Sequence, residues 1–298
     1  MTRIRFDRLP TERPNPRSRA LDRLAPAAIA RLMNRADRDA IRAVGRAAPA
    51  IGGAVTAIAD RLGTGGRLIF LGAGTSGRLG VIEAAECPPT FNTSPGQVRA
   101  VMAGGRRAVF RSVEGAEDDA GAGRRAVRRR ARRGDALVGI AASGVTPFVR
   151  GALAEARRRG TLAVLVTCNP DVPRAAADLV IVLRVGPEVL AGSTRLKAGT
   201  ATKLALNTIT TGVFTRLGKV HGNRMVDLQP RSAKLRARAE RLVAELGRVS
   251  PSRARRLLLD AGGSAKVAIV MARRGEPAAA ARRRLAAAQG FLGRALDG

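Results

Sequence analysis

The chain has 298 residues, 45% of them hydrophobic, and its 54 Lys and Arg against 23 Asp and Glu give a formal charge of +31. With no Trp, no Tyr and seven Phe, its core must be built from Ala, Val, Leu and Ile, which excludes nucleic-acid binding by aromatic stacking. Two cysteines in no paired spacing, Cys87 and Cys168, argue against a disulfide framework and a zinc site, and the absence of any run of about 18 apolar residues argues against a membrane span.

The first residues, 1–16, are basic and Pro-containing without the apolar centre of a signal peptide, so a cytoplasmic location is expected. Residues 27–48 carry Ile29, Leu32, Met33, Ile41 and Val44 near helical spacing, and residues 1–52 read as an N-terminal helical segment. Over 53–218 short apolar runs alternate with helical stretches, the pattern of repeated βαβ units and a parallel sheet in an α/β fold. Strands are predicted over 67–71, 98–102, 136–141, 162–167 and 179–185, and helices over 76–85, 147–158 and 197–217. Seven Arg between Arg124 and Arg133 read as a solvated helix end. Only five of the 54 basic residues are Lys. The scattered Arg excess then fits a compositional bias, and no nucleic-acid partner is expected. Residues 219–298 read as a small helical C-terminal subdomain. There Ser250-Pro251 starts one helix that stops at Gly262-Gly263, and Glu276-Pro277 starts another.

Three turns carry the chemistry. In Leu71-Gly72-Ala73-Gly74-Thr75-Ser76-Gly77, a strand runs into a helix start whose free amides attract an anion, with the hydroxyls of Thr75 and Ser76 beside Gly74. The glycine spacing also matches the dinucleotide fingerprint, but the acidic residue expected after the second strand is missing. A plain tight turn remains an alternative reading of the glycines alone. The second turn, Ala141-Ala142-Ser143-Gly144-Val145-Thr146-Pro147, offers Ser143 and Thr146, and two such turns from one parallel sheet converge at the carboxyl ends of its strands. The third, Gly192-Ser193-Thr194-Arg195-Leu196-Lys197, offers Ser193 and Thr194. It also puts Lys197 in the first turn of a helix, where a cation is disfavoured unless an anion lies nearby, so Lys197 is expected to face a bound anion. Carboxylates are sparse and gather in two places, Glu83 with Glu86, and Glu114 to Asp119. Glu86 precedes Cys87-Pro88-Pro89, read as a helix stop that fixes a positioned acid or base.

At these residues the chain closely resembles the N-acetylmuramic acid 6-phosphate etherases, which have one sugar isomerase (SIS) domain and a helical C-terminal region. The matching segments include Thr11-Glu12, Leu71 to Gly80, Glu86 to Thr90, Val113 to Asp118, Ala141 to Pro147, Gly192 to Thr200, and Gly218 through Asp227. The resemblance implies a lyase that needs no cofactor or metal and acts as a homodimer in cell-wall amino sugar recycling. It would cleave the D-lactyl ether of a phosphorylated amino sugar to give N-acetylglucosamine 6-phosphate and D-lactate. Glu86 matches the family's proton-donating glutamate and Glu117 its second catalytic glutamate. Three places depart from the pattern: Val145 where an Arg is expected, Phe148 where a Tyr is common, and Asn34-Arg35-Ala36-Asp37, which lacks the acidic residues usual there. A non-catalytic phosphosugar-binding regulator is the alternative from another class.

Overall fold

A computed structural model describes residues 9–228 and 232–297. The first eight residues of the expected N-terminal segment therefore lie outside the described residues. The chain divides into two compact units, residues 1–85 with 96–210, and residues 86–95 with 211–298.

The first unit opens with α1 (Pro26–Arg46), followed directly by α2 (Ala48–Gly63). Each helix has a proline in its first turn, where the missing N–H costs nothing. The expected boundary at residue 52 falls inside α2, which runs on without a break. Five strands then follow with helices between them: β1 (Leu68–Gly72), α3 (Gly74–Phe91), β2 (Val98–Met102), α4 (Arg107–Phe110), α5 (Ala120–Arg130), β3 (Ala136–Ile140), α6 (Pro147–Arg158), β4 (Leu162–Thr167), β5 (Leu179–Val182) and α7 (Lys197–Arg216). The sheet is parallel throughout in the order β2-β1-β3-β4-β5. Every residue of β1 and β3 is buried, as expected for central strands of a sheet covered on both faces.

On one face Ile69, Leu71, Leu137 and Leu165 pack with Val127 of α5 and with Val149 and Leu153 of α6. On the other, Phe70 lies so close to Gly80 of α3 that an added Cβ would sit 2.9 Å from the Phe70 Cβ. Helices α5 and α6 also cross at glycines: a Cβ on Gly123 would lie 2.0 Å from the Phe148 carbonyl oxygen, and one on Gly151 2.3 Å from that of Ala120. Cys168, just past β4, is buried.

The second unit holds Cys87, also buried, and a two-stranded hairpin of β6 (Val220–His221) and β7 (Arg224–Met225). Helices α8 (Ala233–Gly247), α9 (Pro251–Asp260), α10 (Ala265–Arg274), α11 (Ala278–Ala287) and α12 (Leu292–Asp297) surround a core of Val226, Leu242, Val243, Ala268 and Ile269. Ser250 caps α9 as read from the sequence, its Oγ accepting from the Arg253 N–H at 3.3 Å. The hairpin is pinned by Asp227, whose Oδ2 lies 2.6 Å from Lys219 Nζ and 3.1 Å from Lys266 Nζ. Lys266 also donates to the Gly290 carbonyl at 2.9 Å. Burial, opposed by Asp227, holds its ammonium below the ordinary lysine range. Among the described residues no helix is long and apolar enough to cross a membrane.

Candidate active site

With strand order β2-β1-β3-β4-β5, the chain leaves β1 toward one side of the sheet and β3 toward the other. This is the switch point where open α/β sheets bind ligands, outside the carboxyl ends of the strands. The turns after β1 and β3 are the two hydroxyl-bearing turns read from the sequence, and they line one cleft of about 260 Å³. Its walls include Gly74, Thr75, Ser76, Ser143, Val145 and Thr146, and the third turn adds Gly192 and Thr194.

Local backbone chemistry explains why these hydroxyls are available. Gly144 has φ of +71°, and a Cβ there would lie 2.3 Å from Val172 Cγ2, so the turn requires glycine. Asn169 braces the turn by donating from Nδ2 to the Ser143 carbonyl at 2.9 Å. Thr146 occupies the N-cap position of α6 but its side chain makes no capping bond, and its Oγ1 lies 3.5 Å from Ser143 Oγ. Among the described residues, the hydroxyls of Thr75, Ser76 and Thr194 are without a protein hydrogen bond. A cleft with unspent hydroxyl donors at two helix starts suits a phosphate or sugar oxygens.

Glu117 lines the same cleft, with Asp118 and Glu12. The main-chain carbonyl of Glu117 accepts from the Phe148 N–H at 2.9 Å, taking up one of the free amides at the start of α6 and fixing the loop against that helix. Downstream, Asp119 caps α5, accepting from the Ala122 N–H at 2.8 Å and from Arg125 Nη2 at 2.9 Å. The Ala122 amide foremost, assisted by Arg125, holds that carboxyl below its usual range.

Three expectations need correction. Lys197 does not line the cleft: it is 2% exposed, its Nζ donates to the Val185 carbonyl at 2.9 Å, and Asp39 Oδ2 lies 3.7 Å away. The anion that answers it at the start of α7 is internal. The buried carboxylate of Glu188 accepts from the Lys197 and Ala198 amides at 3.0 and 2.9 Å. Burial raises the Glu188 carboxyl, with those amides and Lys197 opposing. Burial, with Glu188 nearby, pushes the Cys168 thiol up to about 12. Ser193 is likewise absent from the cleft lining, although its neighbours Gly192 and Thr194 are present. Third, Pro88 and Pro89 do not stop α3, which continues to Phe91. That ring is buried and stacks on Phe214 with centroids 4.7 Å apart, so aromatic packing offsets the two missing donors.

Glu86 lies on α3 in the second unit, is exposed, and is not among the residues lining the cleft. Its neighbour Glu83, in the first unit, is buried and accepts from Asn207 Nδ2 at 2.6 Å and from the Thr210 hydroxyl, tying α3 to α7. Sequence reading gave Leu9 and Glu12 no role, yet both line the cleft. Backbone pairing brings them there, with the Gly192 N–H donating to the Thr11 carbonyl at 2.9 Å. The signal was Thr11-Glu12 itself, present among the resembling segments. Among the described residues, no group of three or more His, Cys, Asp and Glu side chains is placed to hold a metal ion.

The parallel sheet with hydroxyl-bearing turns meeting at its switch point is matched over residues 50–157 by the family model for the glucokinase regulatory protein N-terminal SIS domain, which makes it an SIS-type domain. A phosphoheptose isomerase structure from Francisella tularensis aligns with 65% of this chain and 97% of its own, at a TM-score of 0.47 and 17% identity. The chain is 53% identical to an N-acetylmuramic acid 6-phosphate etherase of Parasynechococcus marenigrum strain WH8102, over 90% of this chain and 85% of that protein. It is 46% identical to an etherase of the same name from Aeromonas hydrophila, over 95% of both. The chain belongs to the N-acetylmuramic acid 6-phosphate etherase family.

Proposed function

We propose that this protein is an N-acetylmuramic acid 6-phosphate etherase, a carbon–oxygen lyase releasing D-lactate and N-acetylglucosamine 6-phosphate. The observation that carries the reading is a carboxylate, Glu117, in the same cleft as the unspent hydroxyls of Thr75, Ser76 and Thr194. The relatives' shared name supports the same substrate. The 6-phosphate sits against Ser76, Ser143, Thr146 and Thr194. Opening of the sugar ring gives an aldehyde that acidifies the proton on carbon 2. Glu117 removes that proton as the carbon 3 to oxygen bond breaks, and a carboxylic acid protonates the departing lactate oxygen; that role is given to Glu86 by the resemblance of its Glu-Cys-Pro-Pro motif alone, since Glu86 does not line the described cleft. Water then adds across the new double bond, its hydroxyl going to carbon 3 and a proton to carbon 2. Each proton transfer of this kind contributes on the order of 100- to 10,000-fold.

The working form we propose is a homodimer in the cytoplasm. Phe110 is 89% exposed and Ile82 53% exposed, apolar surface that a second copy would cover.

The test is release of D-lactate from N-acetylmuramic acid 6-phosphate, followed by product mass analysis. The wild-type protein is expected to turn over, and Glu117→Gln and Glu86→Gln each to lose at least about 100-fold in kcat while still binding the product. Binding without turnover in the wild-type protein would instead make it a phosphosugar-responsive regulator.

A further inference from the structure

A second, smaller cavity of about 110 Å³ opens beside the cleft and shares Ala73, Gly74 and Glu117 with it. Arg78, Ser112 and Glu114 also line it. Among the described residues no other Lys or Arg lines either cavity, and Val145 stands on the cleft wall where an Arg is expected. Arg78 is half-buried, and among the described residues it has no carboxylate partner within salt-bridge distance. Its guanidinium is nevertheless fixed. Nε donates to the Val109 carbonyl and Nη2 to the Ala108 carbonyl, both at 2.9 Å. Two of its five N–H groups are thereby used and three remain for a ligand.

Resting on the etherase reading, we propose that this cavity receives the lactyl group of the substrate and that Arg78 binds its carboxylate. The substrate carries two anionic groups, and the structure offers two unlike receptors. Hydroxyls and helix-start amides in the cleft suit the phosphate, whereas a pinned guanidinium in the side cavity suits a planar carboxylate. Glu117 lines both spaces, beside the carbon 2 and carbon 3 atoms of a sugar that spans them. Glu114 lines the side cavity too, with its Oε1 held by the Ser112 hydroxyl at 2.7 Å. A lactyl carboxylate facing Glu114 and Glu117 without a cation would be repelled, so Arg78 makes that placement tenable. Arg78 is then the residue that distinguishes the lactyl-bearing substrate from its lactate-free product.

The experiment compares N-acetylmuramic acid 6-phosphate with its analogue bearing a carboxamide in place of the lactyl carboxylate, using the full-length wild-type protein, Arg78→Gln and Arg78→Lys. The wild-type protein is expected to favour the acid in kcat/KM by on the order of 10- to 100-fold, the range for hydrogen bonds to a charged group. Arg78→Gln should erase that preference, with inhibition by N-acetylglucosamine 6-phosphate unchanged. A preference that survives in Arg78→Gln would overturn the proposal. So would equal loss of both substrates and of product inhibition in Arg78→Gln and Arg78→Lys, which would make Arg78 a brace for the short helix α4 at residues 108–109. Failure of the wild-type protein to release lactate from either compound would instead remove the etherase reading, and this proposal with it.

Discussion

Lys197 stands in the first turn of α7, where a cation opposes the helix dipole, and the breach of that rule is legible in the sequence. What answers it is not: Glu188 lies nine residues upstream, in a segment without regular structure, and only the folded chain brings its carboxylate onto the helix start. Glu155 shows the same limit. Its carboxylate, 4% exposed, accepts from Arg128 Nε at 3.0 Å and from Arg158 Nη2 at 2.6 Å, so three charges join α5 and α6. The Arg158 bond foremost, then the Arg128 bond, lowers its carboxyl from 4.5 to about 2. A depressed carboxyl contributes stability that is complete above its unfolded value and is lost as pH falls through its folded value. Glu155→Gln is therefore expected to show a urea-midpoint deficit at pH 6 that narrows between about pH 4.5 and about pH 2. A deficit of constant size over that window would show that the ionised carboxylate is not what binds the two helices. By contrast, the cleft hydroxyls of the first two turns were legible, because fixed spacing after a strand places them without help from distant residues.

At the scale of elements, the strands were read to within a few residues, since buried parallel strands announce themselves as short apolar runs between turn signals. Strands β2 and β4 begin and end where read, and the reading of β5 extends three residues too far. Helix ends were harder wherever packing overrode local chemistry, as at Pro88-Pro89. The crossing of α5 and α6 matters most for the site, because α6 holds the Glu117 carbonyl and Gly151 sets how closely the two helices approach. Gly151→Ala is expected to cost about 1–3 kcal/mol by overpacking and to lower lactate release by moving the Glu117 loop. Gly53→Ala in α2, where an added Cβ meets nothing within 4 Å, should instead stabilise by about 0.5–1 kcal/mol and leave turnover unchanged. Denaturation midpoints and kcat/KM for both variants check the pair. Full activity in Gly151→Ala would disconnect the helix crossing from the catalytic loop.

For the molecule as a whole, composition excluded more than it identified. A charge of +31 points toward polyanions, yet the described cleft is lined by Glu12, Glu117 and Asp118 and by no Lys or Arg. The class of fold came from alternating elements and the substrate from motif resemblance. The C-terminal helices α8 and α12 escaped reading in Ala-rich and Arg-rich stretches, and α10 because it is buried on every face over residues 265–271 and so shows no polar side to mark a helical period. One compositional accident has a practical outcome. With no Trp or Tyr the protein is almost silent to intrinsic fluorescence, but each compact unit encloses one sulfhydryl, Cys168 in the first and Cys87 in the second. At pH 8 iodoacetamide should leave both unmodified over hours in the native protein and alkylate both promptly in urea, as peptide mass spectrometry would record. The two labelling rates then serve as separate clocks, each timing how often its own unit of the chain breathes open to solvent.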